Sequence, residues 1–279
     1  MCKFASGIMK YKMSGIWWDM DLDSHSDLME KFGIKDEKTP AAFVKFEMTP
    51  KDHNPFNHSR ENWRLEADQD QIPEWWDRKR AEEMFWPILQ SIFAERFLVD
   101  VLDVRKIEIG RWYTKDSKIN MWGGSIANMR GGSIANMWSG SIADMWGGSI
   151  ADMRGGSIAN MRGGSIANMW SGSIANMWGG SIANMRGGSI ANMWSGSIAD
   201  MWGGSIADMR GGSIADMWGG SIADMRGGSI ADMRGGSIAN MRGGEVKNQS
   251  GKATIFDGYK ILVADKAFTL EFVGSNNAH

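Results

Sequence analysis

Gly123-Gly124-Ser125-Ile126-Ala127-Asn128-Met129-Arg130, followed at once by Gly131-Gly132-Ser133-Ile134-Ala135-Asn136-Met137-Trp138, is the stretch that decides the fold. The same octapeptide, Gly/Ser-Gly-Ser-Ile-Ala-Asn/Asp-Met-Trp/Arg, runs through fifteen copies from Gly123 to Arg242 with no insertion. A period of eight does not match the 3.6-residue turn of an α-helix, and glycine pairs at that spacing cost a helix about 1 kcal/mol per residue. It divides instead into a six-residue strand and a two-residue turn, where glycine supplies backbone conformations that other residues resist. The fixed Ile and Met in every copy speak against a disordered glycine-rich tract.

Variation inside the array shows which side chains point inward. Positions six and eight alternate between Asn and Asp and between Trp and Arg, and unpaired charges do not fit a narrow core. Strand side chains alternate in direction, so those positions and the Ile at position four face out. Ser, Ala and Met at positions three, five and seven face in, with flexible methionine filling a thin interior. The degenerate unit Lys115-Asp116-Ser117-Lys118-Ile119-Asn120-Met121-Trp122 agrees, because it puts Lys at an outward position and Ile at an inward one. The opposite frame buries Ile but also buries Asp.

Every second copy carries the opposite residue at position eight: Arg130, Trp146, Arg162, Trp178 in one set and Trp138, Arg154, Trp170, Arg186 in the other. Two octapeptides per 16-residue coil therefore stack Arg over Trp at about 4.8 Å, a cation–π contact of about 0.5–1 kcal/mol when exposed. The alternation weakens after Trp194, where Trp202/Trp218 and Arg226/Arg242 become like neighbours. Asp at position six, two residues earlier on the same face, offsets some of the Arg–Arg repulsion. The expected fold is an α+β head followed by an all-β solenoid of about 7–8 coils with a β-rich C-terminal cap.

The division predicted is a small α+β head over 1–100, a strand-rich transition with the degenerate repeat over 101–122, the array over 123–242, and a cap and tail over 243–279. In the head, Phe4–Lys12, Ile16–Met20, Ala41–Met48 and Asn62–Ala67 read as strands, and Ser26–Phe32 as a short helix closed by Gly33. Pro73 is placed to open a long helix carrying Ala81, Phe85, Leu89, Ile92 and Phe93, which Pro87 should kink or break. Lys252–Val273 alternates around Ile255, Ile261, Val263, Phe268, Leu270 and Phe272 and reads as the cap.

The chain has 279 residues with 31 Lys+Arg and 33 Asp+Glu, a net charge of −2, and a single Cys. One cysteine excludes a disulfide framework and an all-cysteine zinc site. The near-neutral balance disfavours nucleic-acid binding, and the array alone holds 8 Arg against 7 Asp, which disfavours a DNA mimic. No apolar run approaches the roughly 20 residues of a membrane helix and no export signal is evident, so a cytoplasmic location is expected. Export by another route and a place in a virion are both compatible with this reading.

Cys2-Lys3-Phe4-Ala5-Ser6, Asp23-Ser24-His25 and Asp68-Gln69-Asp70 with Pro73-Glu74-Trp75-Trp76 carry a resemblance in the head. With the octapeptide period, they make the chain resemble a group of uncharacterised bacterial and phage proteins in which a small Trp-rich head precedes such an array. The resemblance covers the head and the period, not the residues of the repeat, and it implies no activity. More loosely, the array is similar to pentapeptide-repeat and ice-nucleation solenoids, in architecture only.

Chemical motifs are sparse. Asp19, Asp21, Asp23, Asp27 and Glu30 fall at positions 1, 3, 5, 9 and 12 of a calcium loop, but Ser24 and Ser26 stand where that loop needs glycine and an apolar residue. A solvated turn with a helix cap is the favoured reading. The array lacks the nonapeptide period of calcium β-rolls. His25, His53, His58 and Asp52 are weighed as a metal set and read as surface residues. Cys2 would become an N-terminal nucleophile if Met1 were removed, with no base partner to name. Trp17, Trp18, Trp75 and Trp76 read as packing residues. No cofactor and no catalytic residue is expected.

The functional expectation is a non-enzymatic binding or structural protein. Its surface is the Ile ladders, Ile126, Ile134 and Ile142 among them, flanked by Arg130, Trp138, Trp146, Arg154, Arg162, Trp170, Trp178 and Arg186. Such faces are larger than a monomer usually exposes and suit a homo-oligomer or a repetitive protein partner. Ice binding draws on the same regularity, although Trp and Arg beside Ile make the face less flat. An enzymatic or toxin-like head on an inert solenoid is the third expectation, with Cys2, His25, His53 and Asp23 as its candidates.

Overall fold

The computed structural model describes residues 5–22, 24–35, 42–257 and, for the backbone alone, 260–263. Two compact units divide after Phe97.

In the first unit, β1 (Ala5–Lys10), β2 (Ile16–Trp17), β3 (Phe43–Pro50) and β4 (Trp63–Ala67) form an antiparallel sheet in the order β2-β1-β3-β4. Alternation assigns its two faces. Ile8 and Phe43 pack with Leu28 and Met29 of α1 (His25–Phe32) on one side. On the other, Phe46 meets Phe85 edge-on at 5.0 Å and Trp63 meets Phe93 at 5.1 Å, both partners lying on α2 (Arg78–Arg96). Gly7 pairs with Phe46 across the sheet, and a Cβ there would run into the Phe46 ring.

Most of the predicted head elements are present, and two details differ. Gly33 caps α1 in the left-handed conformation, as its position implied. The long helix starts at Arg78, not at Pro73: Asp77 accepts a bond from the Arg80 amide at 3.1 Å, which supplies the N-cap, while Pro73 belongs to a turn closed by the Trp76 amide. Pro87 sits inside α2 without ending it. It forfeits one backbone bond, and the buried run Phe85, Leu89, Ile92 and Phe93 on either side holds the helix to the sheet.

The second unit is a parallel β-solenoid of about ten coils at 16 residues per coil, with its strands in two sheets. Every repeat strand pairs in register with the strands 16 residues away, as in Ile142↔Ile158, Ala143↔Ala159, Asp144↔Asn160 and Met145↔Met161. All fifteen Ser, Ala and Met triplets are buried, so the predicted inward frame holds throughout. The degenerate unit obeys it too, with Lys118↔Ile134 outside and Ile119↔Ala135 inside.

Coils number more than the array alone supplies because the flanks continue it. β5 (Phe97–Val99), β6 (Arg105–Ile107), β7 (Gly110–Lys115) and β8 (Lys118–Met121) already belong to the two sheets. At the far end Glu245–Gln249 and Thr254–Asp257 extend them in parallel, the first through a bulge beside Ala231 and Asp232. Lys260–Val263 then turns back antiparallel on Thr254–Asp257 and is the edge strand of that sheet among the described residues. Phe268, Leu270 and Phe272 lie outside the described residues.

The turns explain the glycines. In Trp122-Gly123-Gly124-Ser125 the Ser125 amide bonds the Trp122 carbonyl at 3.1 Å, and both central residues have positive φ, 53° and 75°. That is a type I′ turn, which requires the left-handed region twice. Ser139, Ser171 and Ser195 take the first of these positions at φ of 53–54°.

Candidate functional site: the outward ladders of the solenoid

Each outward position forms a vertical ladder because a coil repeats its neighbour's backbone with no offset. The position-eight ladders stack as the sequence implied. Arg162 lies between Trp146 at 4.7 Å and Trp178 at 5.1 Å, Arg154 lies over Trp170 at 5.2 Å, and Arg234 over Trp218 at 4.5 Å. The alternation fails one step earlier than expected, since Trp178 already stacks on Trp194 at 5.0 Å and 7°. Trp202 and Trp218 stack at 4.9 Å and 2°. Both kinds of neighbour are favourable, because an indole face accepts another ring or a guanidinium.

Position six forms a second pair of ladders. The Asn160 amide donates to Asp144 Oδ1 at 2.8 Å, Asn176 donates to Asn160 Oδ1 at 2.9 Å, and Asn192 to Asn176 Oδ1 at 2.8 Å. Asn and Asp are interchangeable here only while a donor lies above each acceptor. In the later coils Asp200, Asp216 and Asp232 stack with no amide between them. Burial holds the Asp216 carboxyl above its usual range, the charges of Asp232 and Asp200 push the same way, and Arg234 opposes them. Asp208 is held by Arg210 of its own repeat through bonds of 2.6 and 3.2 Å, the offset foreseen for the Arg-rich stretch.

The Ile ladders lie beside these. Ile126 and Ile142 are half-buried by their neighbours and Ile134 is exposed. Ile182, Ile190, Ile198, Ile206, Ile214 and Ile222 are each 37–42% exposed, so the apolar stripe is most open in the later coils. Arg130 and Trp138 are half-buried, and Arg186 is exposed.

The candidate residues of the head do not form one site. Asp19 pairs with Lys31 and accepts from the Asp21 amide at 2.9 Å, and Asp21 pairs with Arg96. Burial works to raise the Asp19 pKa, but the Lys31 hydrogen bond, the Asp21 amide and the charges of Lys31 and Arg96 outweigh it and leave it lowered. Both carboxylates are thus engaged by cations of the protein. Glu30 is exposed on α1, and Asp23 lies outside the described residues, as does Cys2.

The three weighed histidines separate. His58 stacks on Phe93 at 4.0 Å and 3°, and burial lowers its pKa. His53 occupies an exposed turn at φ 57°. Asp52 braces the same loop, with bonds from Asn57 Nδ2 at 3.1 Å and the Asn54 amide at 2.7 Å that lower its pKa. His25 alone meets a carboxylate, Asp68. Trp17 packs beside Ile8, Leu28 and Phe43, Trp75 meets Tyr11 edge-on at 5.8 Å, and Trp76 lies 6.1 Å from Phe46, so three of the four head tryptophans weighed are packing residues. Among the described residues no helix is long and apolar enough to cross a membrane. Searches of protein-family models, curated proteins and solved structures return no match to this chain.

Proposed function

We propose that this chain is a non-enzymatic binding protein whose solenoid associates through its outward ladders, with a second copy as the first partner and a repetitive protein surface as the alternative. The observation that carries the reading is a pair of open Ile ladders. Ile182, Ile198 and Ile214 stand in register on one sheet and Ile190, Ile206 and Ile222 on the other, each more than a third exposed. A stripe with the 4.8 Å repeat of a strand ladder matches any partner with the same repeat, and another copy of the array has it by construction. The likeness to head-plus-octapeptide proteins of bacteria and phages is part of this proposal and adds no activity to it.

The test is sedimentation velocity over a hundredfold range of concentration, on the wild type and on the triple variant Ile190→Lys, Ile206→Lys and Ile222→Lys. These three stand on successive coils of one sheet, and their substitution leaves the buried triplets untouched. The wild type is expected to form larger species as concentration rises, and the triple variant, which keeps the ladder of the other sheet, to form them only at higher concentration with an unchanged far-UV spectrum. A wild type that stays monomeric throughout removes self-association.

A further inference from the structure

The two outward faces of the array differ in charge, and the difference selects how one copy meets another. Both sheets send their Ser, Ala and Met side chains into one shared interior, so their outward faces point away from each other. The first sheet carries Ile182, Ile198 and Ile214, and the second carries Ile190, Ile206 and Ile222. Exposure is 38–41% on the first ladder and 37–42% on the second, so the apolar side chains alone favour no particular pairing.

Charge separates them. Over residues 179–242, positions six and eight of the first sheet hold Asp200, Asp216 and Asp232 against Arg186 and Arg234. Those of the second hold Arg210, Arg226 and Arg242 against Asp208 and Asp224. One face is thus net negative and the other net positive. The whole array keeps the same signs, with four Asp to three Arg on the first sheet and five Arg to three Asp on the second. Some of these charges are met locally: Arg210 holds Asp208, the Asn248 amide donates to Asp232 at 3.0 Å, and Arg234 lies over Trp218 and acts on Asp216 through space. Among the described residues neither Asp200 nor Asp216 is within ion-pair distance of a cation, and neither Arg226 nor Arg242 of a carboxylate.

We propose that a second copy of this chain docks heterologously, the second-sheet face of one copy against the first-sheet face of the next, with Arg226 and Arg242 answering Asp200 and Asp216. This pairing rests on the self-association proposed above and adds which faces meet. Two first-sheet faces pressed together set the Asp run against itself, and two second-sheet faces do the same with the Arg run. Only unlike faces bring opposite charges together while both Ile ladders are covered. Each added copy leaves one face of each kind free at the two sides of the stack, so growth continues in steps of one chain. A pairing of like faces through a single sheet would close at two copies.

The experiment is sedimentation velocity on the full chain at low ionic strength, comparing the wild type with two double variants, Asp200→Asn with Asp216→Asn and Arg226→Gln with Arg242→Gln. Asn already occupies position six in eight of the fifteen repeats, so the first variant keeps a residue the coil accepts, and far-UV spectra check that both remain folded. The wild type is expected to form a series of species beyond the dimer, weakened by added salt. Both variants should need about fivefold higher concentration to reach the same average mass. The sign is the decisive readout. If first-sheet faces paired with each other, the Asp→Asn variant would associate more strongly, and if second-sheet faces did, the Arg→Gln variant would. Either result, no change in both variants, or a wild type that stops at the dimer overturns heterologous docking and leaves self-association standing. A wild type that stays monomeric removes self-association itself, and this pairing with it.

Discussion

The head and the solenoid reach a buried interior by opposite routes. In the head each contact is particular: the Phe46 ring covers Gly7, meets Phe85 edge-on and lies near Trp76, and no other residue repeats that set. In the solenoid one contact is made many times. Ser, Ala and Met, none of them large or rigid, become a continuous core because each meets its own copy above and below. A core of adaptable side chains is specified by translation, while a core of aromatic rings is specified by shape. The two should therefore respond differently to damage.

The sharpest break in that comparison is Phe46→Ala. Removing a fully buried ring from the centre of the head is expected to cost about 3–5 kcal/mol, close to the whole stability of a small unit. Limited proteolysis read by mass spectrometry should then find new cuts within 5–97 and none within 123–242. Cuts spread evenly over both would show that the units do not fold separately.

A smaller effect sets two serines of the solenoid interior against each other. Ser149 Oγ donates to the Trp146 carbonyl at 2.7 Å, but the Oγ of Ser141, in the preceding repeat, is buried with no partner. Ser149→Ala should lose about 1 kcal/mol, whereas Ser141→Ala should be neutral or stabilising. Equilibrium denaturation of the two variants side by side is the measurement, and equal losses would contradict the distinction.

The smallest effect concerns the outer face. The Asp216 carboxyl is raised by burial and by Asp232 and Asp200, so its charged form costs the folded state. A carboxyl raised above its unfolded value of 3.8 adds no cost below that pH; the cost grows as pH rises through the folded value and is complete at neutrality. Asp216→Asn also restores a donor above Asp200, as in the Asn/Asp pairs of the earlier coils. It should stabilise the array by about 0.5–1 kcal/mol at pH 7, less in high salt, with the gain gone below about pH 3.8. Thermal melts at both pH values check the sign, and a gain that persisted in acid would assign it to packing.

The same contrast governs what the amino-acid sequence disclosed. The inward frame, the 16-residue coil and the Arg–Trp stacking were all legible, because fifteen copies display which positions vary and variation marks the outside. The extension of the coils back to Phe97 was less so, since Arg105–Ile107 shares no residue pattern with the repeat and joins the sheet by main-chain bonding. In the head, strands and helices followed from periodicity, but Asp77 as the cap of α2 was hidden behind the more conspicuous Pro73. The contact of His25 with Asp68 was illegible for a simpler reason. The two lie on separate segments, one opening α1 and the other just after β4, and the folding of the sheet brings them together.

Registration at sixteen residues has a consequence for how such a chain can change. Excising two adjacent octapeptides joins strands that were already equivalent, so every surviving residue keeps the same sheet, the same face and an equivalent environment. Excising one swaps the sheets of everything downstream and sets the ladders of the two halves against different partners. The fifteen regular copies are odd in number, and the degenerate unit Lys115–Trp122 brings the total to an even sixteen. Length is thus a free variable of this molecule in steps of a whole coil, and parity is the quantity that has to be conserved.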